Sequence, residues 1–571
     1  MDQRRVTFVR TSHFVALARR SQHDSIMVRR LGATALVALL TVACTTFDDA
    51  KVDGNGGPGS SDPTRTDPND PNNPNNPNNP GNGTDPPPTG SGPAVPNTIP
   101  KQGTLVVNLT ADAAGNDVVV SMGVPFPQGI LTSEKNVALK NAAGAAVPIG
   151  VAALAKWPGD NSIRSVLVTF KATLASGAKE AWSLDYGGTP ATAPGTAVAP
   201  NPDGPIMAHL TPDHYSKSLV SGVILPAAAN KAFAAYETQL TAGAAAFNYT
   251  SFGVDCNAAA GRTYYDGPHA LYQRFLRTGT TAQYRLARRE SVWFRANELR
   301  FSADRKTAVQ KCEPAGWTPA KAMDWGTLRM MLSQGSLDDY LVTGDPAAKE
   351  AVTAMGEAYR LNLPALTAGQ VSLEITERNL GWTLIGLTSY YAVDARVEVR
   401  DAMKSVVDRA VAWQTRGQSG GLEHDLNRPD PDECGNGPNG ASPFMTSIVV
   451  DGLMEYWILT SDTAKLQPFM QKLATWYETK AITTDKLAFR YLWNCKDDPY
   501  DDSGTADLNI LINHVFGAAY MLTKDTHWLD FGDKMAASGI DNFSAKAPKQ
   551  FAQSCRSFGK YLGYRALGKA P

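Results

Sequence analysis

The chain has 571 residues, 43% of them hydrophobic, with 54 basic against 55 acidic side chains and a formal net charge of −1. That length allows two or three domains with large cores, and the charge balance gives no reason to expect nucleic acid or an anionic surface as partner. Among the 6 cysteines no pair has zinc-site spacing, so a structural zinc is not expected.

Export signals come first. Met27 to Arg30 is a basic start, Leu31 to Leu40 an apolar run, and Thr41-Val42-Ala43-Cys44 looks like a lipobox. The run is too short to stay in a bilayer as a spanning helix, so 27–43 reads as a cleaved lipoprotein signal. Cys44 is then the lipidated first residue and the only membrane attachment, and residues 1–26 read as a misassigned upstream extension, because Met27 opens a complete signal by itself. Thr45, where an aspartate would retain the protein, favours the outer membrane or surface of a Gram-negative bacterium. From 44 to 101 the chain is Pro, Asn, Asp, Gly and Ser, including PNNPNNPNNP at 71–80. Such composition cannot offset its ordering entropy and predicts a disordered tether, reaching roughly 40 Å at about 5–6 Å × √n.

Residues 102–187 change character. GTLVVNL, DVVVSMG, VPIGVAA, SIRSVLVTF and EAWSLDYG are short β-branched or alternating runs between turn residues, which predicts a small antiparallel β barrel or sandwich. Within it, VSMGVPFPQGIL at 120–131 and KWPGDNSIRSVLVTF at 156–170 resemble the N-terminal RIFT-type barrel of the exo-rhamnogalacturonan-lyase-like proteins. Trp157, Asp160, Ser162, Ile163 and Arg164 match that family's recurring strand, while Asn161 replaces a glycine and Ser165 a second tryptophan. The resemblance implies an α/α toroid after the barrel, and relatives that are lyases, hydrolases or unassigned. In the turn itself, an Asp160–Arg164 pair would fix the following strand; the alternative is a lining for a glycan site at the domain interface.

After a connecting segment with the first helices (188–262), residues 263–571 repeat. Five apolar helix-like stretches end in an aromatic and a polar stop: YQRFLRTGT from Tyr272, DDYLVTGD from Asp338, SYYAVDA from Ser389, MEYWILTSD from Met454 and AAYMLTKD from Ala518. Units of this kind bury their apolar faces only by stacking, and five or six helical hairpins close into a ring. Tyr272, Tyr340, Tyr390, Tyr456 and Tyr520 recur as packing residues. Ahead of each helix lies a polar and aromatic cluster: Tyr264, Tyr265, Asp266 and His269; Asp324 and Trp325; Glu374, Arg378, Asn379 and Trp382; His424, Asp425, Asn427 and Arg428; Asp501, Asp502, Asp507, Asn513 and His514. If these helices form the inner layer, the clusters share one rim, where helix N-termini add free N–H groups and partial positive charge.

Those residue types suit a polysaccharide or oligosaccharide. Aromatic rings stack on sugars, and Arg, Asn and Asp bind hydroxyls and carboxylates. A uronate lyase must neutralise a carboxylate, remove the C5 proton and protonate the leaving oxygen. His424 or Tyr265 would be the base, Tyr265 or Tyr264 the acid, and Arg428 with Asn379 the carboxylate clamp. Asp266, His269, Trp325, Glu374, Arg378, Trp382, Asp425, Asn427, Asp502 and His514 would line the substrate. A glycoside hydrolase would use two carboxyls from Asp266, Glu374, Asp425 and Asp502. A non-catalytic glycan-binding protein would use the rim alone. No cofactor is required. RPDPDE at 428–433 and KDDPYDD at 496–502 are the loops that could take Ca²⁺, although neither has EF-hand spacing. Disulfides Cys256–Cys312 and Cys434–Cys495 would leave Cys555 free, and a monomer is expected.

Overall fold

The computed structural model describes residues 94–96, 98–246, 262–303, 305, 308–310, 331–368, 374–426, 439–495, 504 and 506–570. The signal, Cys44, most of the tether, Cys256, Cys312, Cys434, Trp325, Asn427, Arg428, Asp502 and both acidic loops lie outside the described residues. Cys495 is disulfide-bonded, and Cys555 is a buried free thiol.

Nine strands build the first domain: β1 (Gly103–Ala111), β2 (Gly115–Pro125), β3 (Val137–Lys140), β4 (Ala146–Val147), β5 (Gly150–Lys156), β6 (Ile163–Leu174), β7 (Lys179–Tyr186), β8 (Gly195–Thr196) and β9 (Ile206–His209). They form two sheets, ordered β4-β3-β7-β1-β9 and β2-β6-β5-β8. The pairing is antiparallel except between β5 and β8. In β7 burial alternates, so Trp182, Leu184 and Tyr186 enter the core while the residues between them face outward. β6 breaks that rule. It is buried on both faces from Ile163 to Phe170, because helices cover the side away from the barrel core. The sheet also runs past residue 187, since Ile206 to His209 pair with Ala111 to Asn108.

The short α1 (Pro212–Ser218) leads into the helical domain. Its inner layer is α3 (Gly267–Thr278), α5 (Gln334–Thr343), α7 (Glu377–Tyr391), α9 (Pro443–Thr460), the consecutive α11 (Asn509–Ile512) and α12 (His514–Thr523), and α14 (Pro548–Ala566). The outer layer is α4 (Thr281–Asn297), α6 (Pro346–Ala368), α8 (Val397–Arg416), α10 (Thr463–Thr479), α13 (His527–Asn542) and α2 (Ala234–Ala246). Each inner helix packs on the next, and α14 packs on α3, so the ring closes. A hairpin of β10 (Leu299–Phe301) and β11 (Ala308–Gln310) follows α4.

The sixth hairpin joins the two ends of the helical region. Tyr236 of α2 donates its hydroxyl to Ser554 O of α14 at 3.2 Å, and Gly243 of α2 abuts Ala545. Inner helices are buried nearly all round, and close approach needs small residues. A side chain on Gly381 of α7 would stand 2.8 Å from the α9 backbone at Ile448. Tyr272, Tyr340, Tyr390 and Tyr456 are buried packing residues, and Tyr520 is partly buried. No described helix is long and apolar enough to cross a membrane.

Barrel and ring belong to one compact unit. The barrel docks on the C-terminal ends of α3 and α5, the rim opposite the polar clusters. Ser165 Oγ donates to Leu341 O at 2.7 Å, and Tyr340 Oη donates to Leu154 O at 2.7 Å. Arg288 and Arg295 of α4 bind Asp339 and Asp345, and Arg288 also reaches Asp203 beside the barrel. Gly123 is the tightest point, where any Cβ would overlap the Leu341 carbonyl oxygen. Gly123→Ala should therefore lower stability by about 1–3 kcal/mol in denaturant titration; unchanged stability would mean that the contact is loose.

Candidate functional site

The start of α3 sets the site. Tyr265 and Asp266 both adopt left-handed backbone, at φ 65° and 58°, which costs a bulky residue of order 1–3 kcal/mol. Asp266 holds the turn. One oxygen accepts from His269 N at 3.1 Å and the other from Gly335 N at 3.1 Å, so a single carboxylate caps both α3 and α5. Burial nevertheless pushes its carboxyl above the usual range. The turn sets the Tyr264 and Tyr265 rings 4.6 Å apart, with Tyr265 edge-on to Trp382 of α7 at 6.3 Å. Arg378 Nη1 donates to Tyr264 Oη at 3.3 Å. Tyr264 is half-buried and Tyr265 is 3% exposed.

His424 arrives from a different hairpin, β12 (His424–Asp425) against β13 (Asn439–Gly440). Its Nδ1 stands 3.3 Å from Glu377 Oε2 in the first turn of α7. Glu377 is fixed in turn by Ser442 N, which donates to Oε1 at 2.7 Å. Both side chains are buried. An imidazole at ion-pair distance from a carboxylate is a group suited to proton transfer.

Beneath these groups the ring axis carries charge. Arg556 lies 4.8 Å over the Trp382 ring and donates to Tyr265 O at 3.1 Å, Gln334 Oε1 at 2.5 Å and Asp451 Oδ2 at 2.5 Å. Lys560 pairs with Asp451 and, at 3.0 Å, with Glu455. Despite full burial, Lys560 and Arg556 hold the Asp451 carboxyl far below the usual range.

Next to them, His269 Nδ1 lies 2.6 Å from Asp338 Oδ2. Burial pushes the imidazole well below its ordinary value and the Asp338 carboxyl well above. A neutral pair fits, with the protonated Asp338 carboxyl donating a hydrogen bond to Nδ1 and Nε2–H donating to the Gln273 amide oxygen. That amide orientation also lets its nitrogen donate to Cys555 O and Arg556 O.

The structure thus gathers Tyr264, Tyr265, Arg378, Trp382 and His424 around the first turns of α3 and α7. Asp266 and His269 sit in the buried network beside them. Asn379 is wholly buried, and neither amide atom has a hydrogen-bond partner among the described residues. His514 faces Leu511 O at 3.0 Å and Ser447 O at 2.9 Å through its two nitrogens. Glu374 turns to the outer layer, bound by Arg409 at 2.8 Å and by Arg416 of α8. Asp425 is exposed opposite Asn439.

Glu377 and Gln334, which open α7 and α5, escape the sequence reading, as do Asp338, Asp451, Glu455, Arg556 and Lys560, which lie within helices rather than in the clusters. The signal was spacing: Asp451/Glu455 and Arg556/Lys560 are i, i+4 pairs, each on one helix face. No group of three metal-ligating side chains occurs among the described residues.

Residues 102–176 match the family model of the PcRGLX-like N-terminal RIFT barrel domain, and a helical region follows them. No curated protein matches the chain in sequence. Among solved structures, the crystal structure of a family 76 glycoside hydrolase from a bovine Bacteroides thetaiotaomicron strain is similar, with 10% identity and a TM-score of 0.27. The match covers 75% of this chain and 78% of that one. So remote a likeness says nothing of this chain's reaction.

Burial pushes His214 and His514 each down to about 4. The unfolded imidazole, near 6.5, takes its proton first as pH falls. Their stabilisation is therefore complete above about pH 6.5 and is lost toward pH 4, at about 1.4 kcal/mol per unit of difference. Unfolding free energy should fall between pH 7 and 4.5, less steeply in His514→Asn. A slope equal to wild type would contradict a neutral His514.

Proposed function

We propose that the helical ring cleaves a polysaccharide beside a uronate residue by β-elimination. The observation that carries this reading is the first turn of α7, where Glu377 faces His424 at 3.3 Å and the adjacent Arg378 binds Tyr264. His424 takes the C5 proton. The electron pair left behind forms the C4–C5 double bond, and the glycosidic oxygen departs from C4 with a proton from Tyr265 or Tyr264. Arg378 Nη1 donates to the Tyr264 phenol oxygen at 3.3 Å and so places that phenol beside the clamp. Arg378, with Arg428 and Asn379, would neutralise the uronate carboxylate, and the α3 and α7 N-termini add to that field. The same proposal includes export as a lipoprotein, lipidated at Cys44 and carried on the 44–101 tether at the outer membrane. It also includes a monomer whose sole ligand is glycan.

The second reading is a glycoside hydrolase. Asp338 is the carboxyl it would draw on, since burial pushes this group well above the usual carboxylate range, the direction a general acid needs. Asp451 is a poor candidate for that role, being ionised between Arg556 and Lys560.

Incubation with pectic, alginate-like and other acidic exopolysaccharides should yield an ultraviolet-absorbing unsaturated uronate. His424→Ala and the Tyr265→Phe, Tyr264→Phe pair should each lose about 10²–10⁴-fold in turnover with unchanged unfolding temperature. Reducing ends without absorbance would move the reading to hydrolysis, retention alone to binding, and full turnover in the variants would remove these roles.

A further inference from the structure

The KWPGDNSIR turn is built more firmly than the end of a strand needs. Trp157 Nε1 donates to Phe126 O at 2.8 Å. Ser162 donates to Asp160 Oδ1 through N at 3.0 Å and Oγ at 2.7 Å. Gly129 N donates to Ser162 Oγ at 2.8 Å. Asp160 is thus spent on the turn, and the Asp160–Arg164 pair expected from sequence does not form. Arg164 instead lies with its guanidinium 4.7 Å over the Trp157 ring.

Arg164 is 2% exposed, yet no described residue accepts a hydrogen bond from it, and Nε and Nη1 are sealed without a partner. The acidic groups that act on it are Glu455 and Asp338, both from inner helices of the ring and neither close enough to bond. A guanidinium has five donors, and burying it unpaired is costly. Across from it, Glu455 has capacity to spare. Lys560 at 3.0 Å and Gln334 at 3.5 Å share its Oε1. Its side chain keeps 15% of its surface open, against 1% for Lys560. Gly222 passes the same carboxylate, where a Cβ would stand 3.1 Å from Oε1. Solvent therefore still reaches the Glu455 side chain. Donors without acceptors and a carboxylate with free lone pairs, too far apart to meet, call for a bridging group that both accepts and donates.

We propose that the barrel-facing end of the ring axis is a sugar subsite, in which a glycan hydroxyl accepts from Arg164 and donates to Glu455. This rests on the reading of the ring as a glycan site, and it makes the barrel one wall of that site.

The test is calorimetric titration of the full chain with trigalacturonate, alongside the unfolding temperature of each variant. Arg164→Met removes an unpaired buried cation and should fold at least as stably as wild type. Its affinity should fall by about tenfold or more, the loss of a charge-assisted bond. Arg164→Lys keeps the charge without the fork and should fall between. Glu455→Gln should weaken binding too, and it carries the test if Arg164→Met fails to fold. Wild-type affinity in the variants, or no binding by wild type, overturns the subsite. So does a soaked crystal with water alone between the two groups. Equal polymer cleavage by wild type and Arg164→Met would sink the subsite and leave β-elimination standing. Arg164-dependent binding without cleavage would do the reverse.

Discussion

Asp451 is the residue on which the ring closes. It projects from α9 toward the axis and takes both Arg556 and Lys560 from the last helix, α14. Arg556 in turn binds the Tyr265 carbonyl and Gln334 and covers Trp382. Four inner helices and the turn before α3 therefore share one ionic cluster. Removing one partner from such a buried cluster costs about 3–5 kcal/mol, because the other charge is left uncompensated. A ring held only by apolar contacts could slip. One held by directional bonds at its axis fixes how Tyr264, Tyr265 and Trp382 face one another.

Much of the architecture is legible in the sequence, because it depends on periodicity. Alternating β-branched runs give the barrel, and the aromatic and polar stops after apolar stretches give five of the hairpins. The sixth is not legible. Its inner helix, α14, has no such stop, and its outer partner, α2, lies some 300 residues earlier beyond the whole ring. The sheet's last strand is hidden for a similar reason, as β9 is four residues long and pairs with β1 across most of the domain.

The site is legible only at its edge. Tyr264, Tyr265, Arg378 and His424 stand out in loops or first turns, where polar and aromatic residues have little other reason to gather. The charges beneath them look like interruptions of apolar helices, and only their i, i+4 spacing shows that they share a face. Glu374 has the right chemistry three residues before Glu377, but the chain there points it at Arg409 and Arg416 of the outer layer. Proximity in sequence to a first turn does not fix which layer a side chain joins.

A crystal structure with an acidic oligosaccharide bound would decide most directly whether this ring is built for uronate chemistry. The account predicts a uronate carboxylate on Arg378, with its C5 hydrogen within reach of His424. A sugar held on the barrel surface alone, or in the ring with C5 turned away from His424, would contradict it.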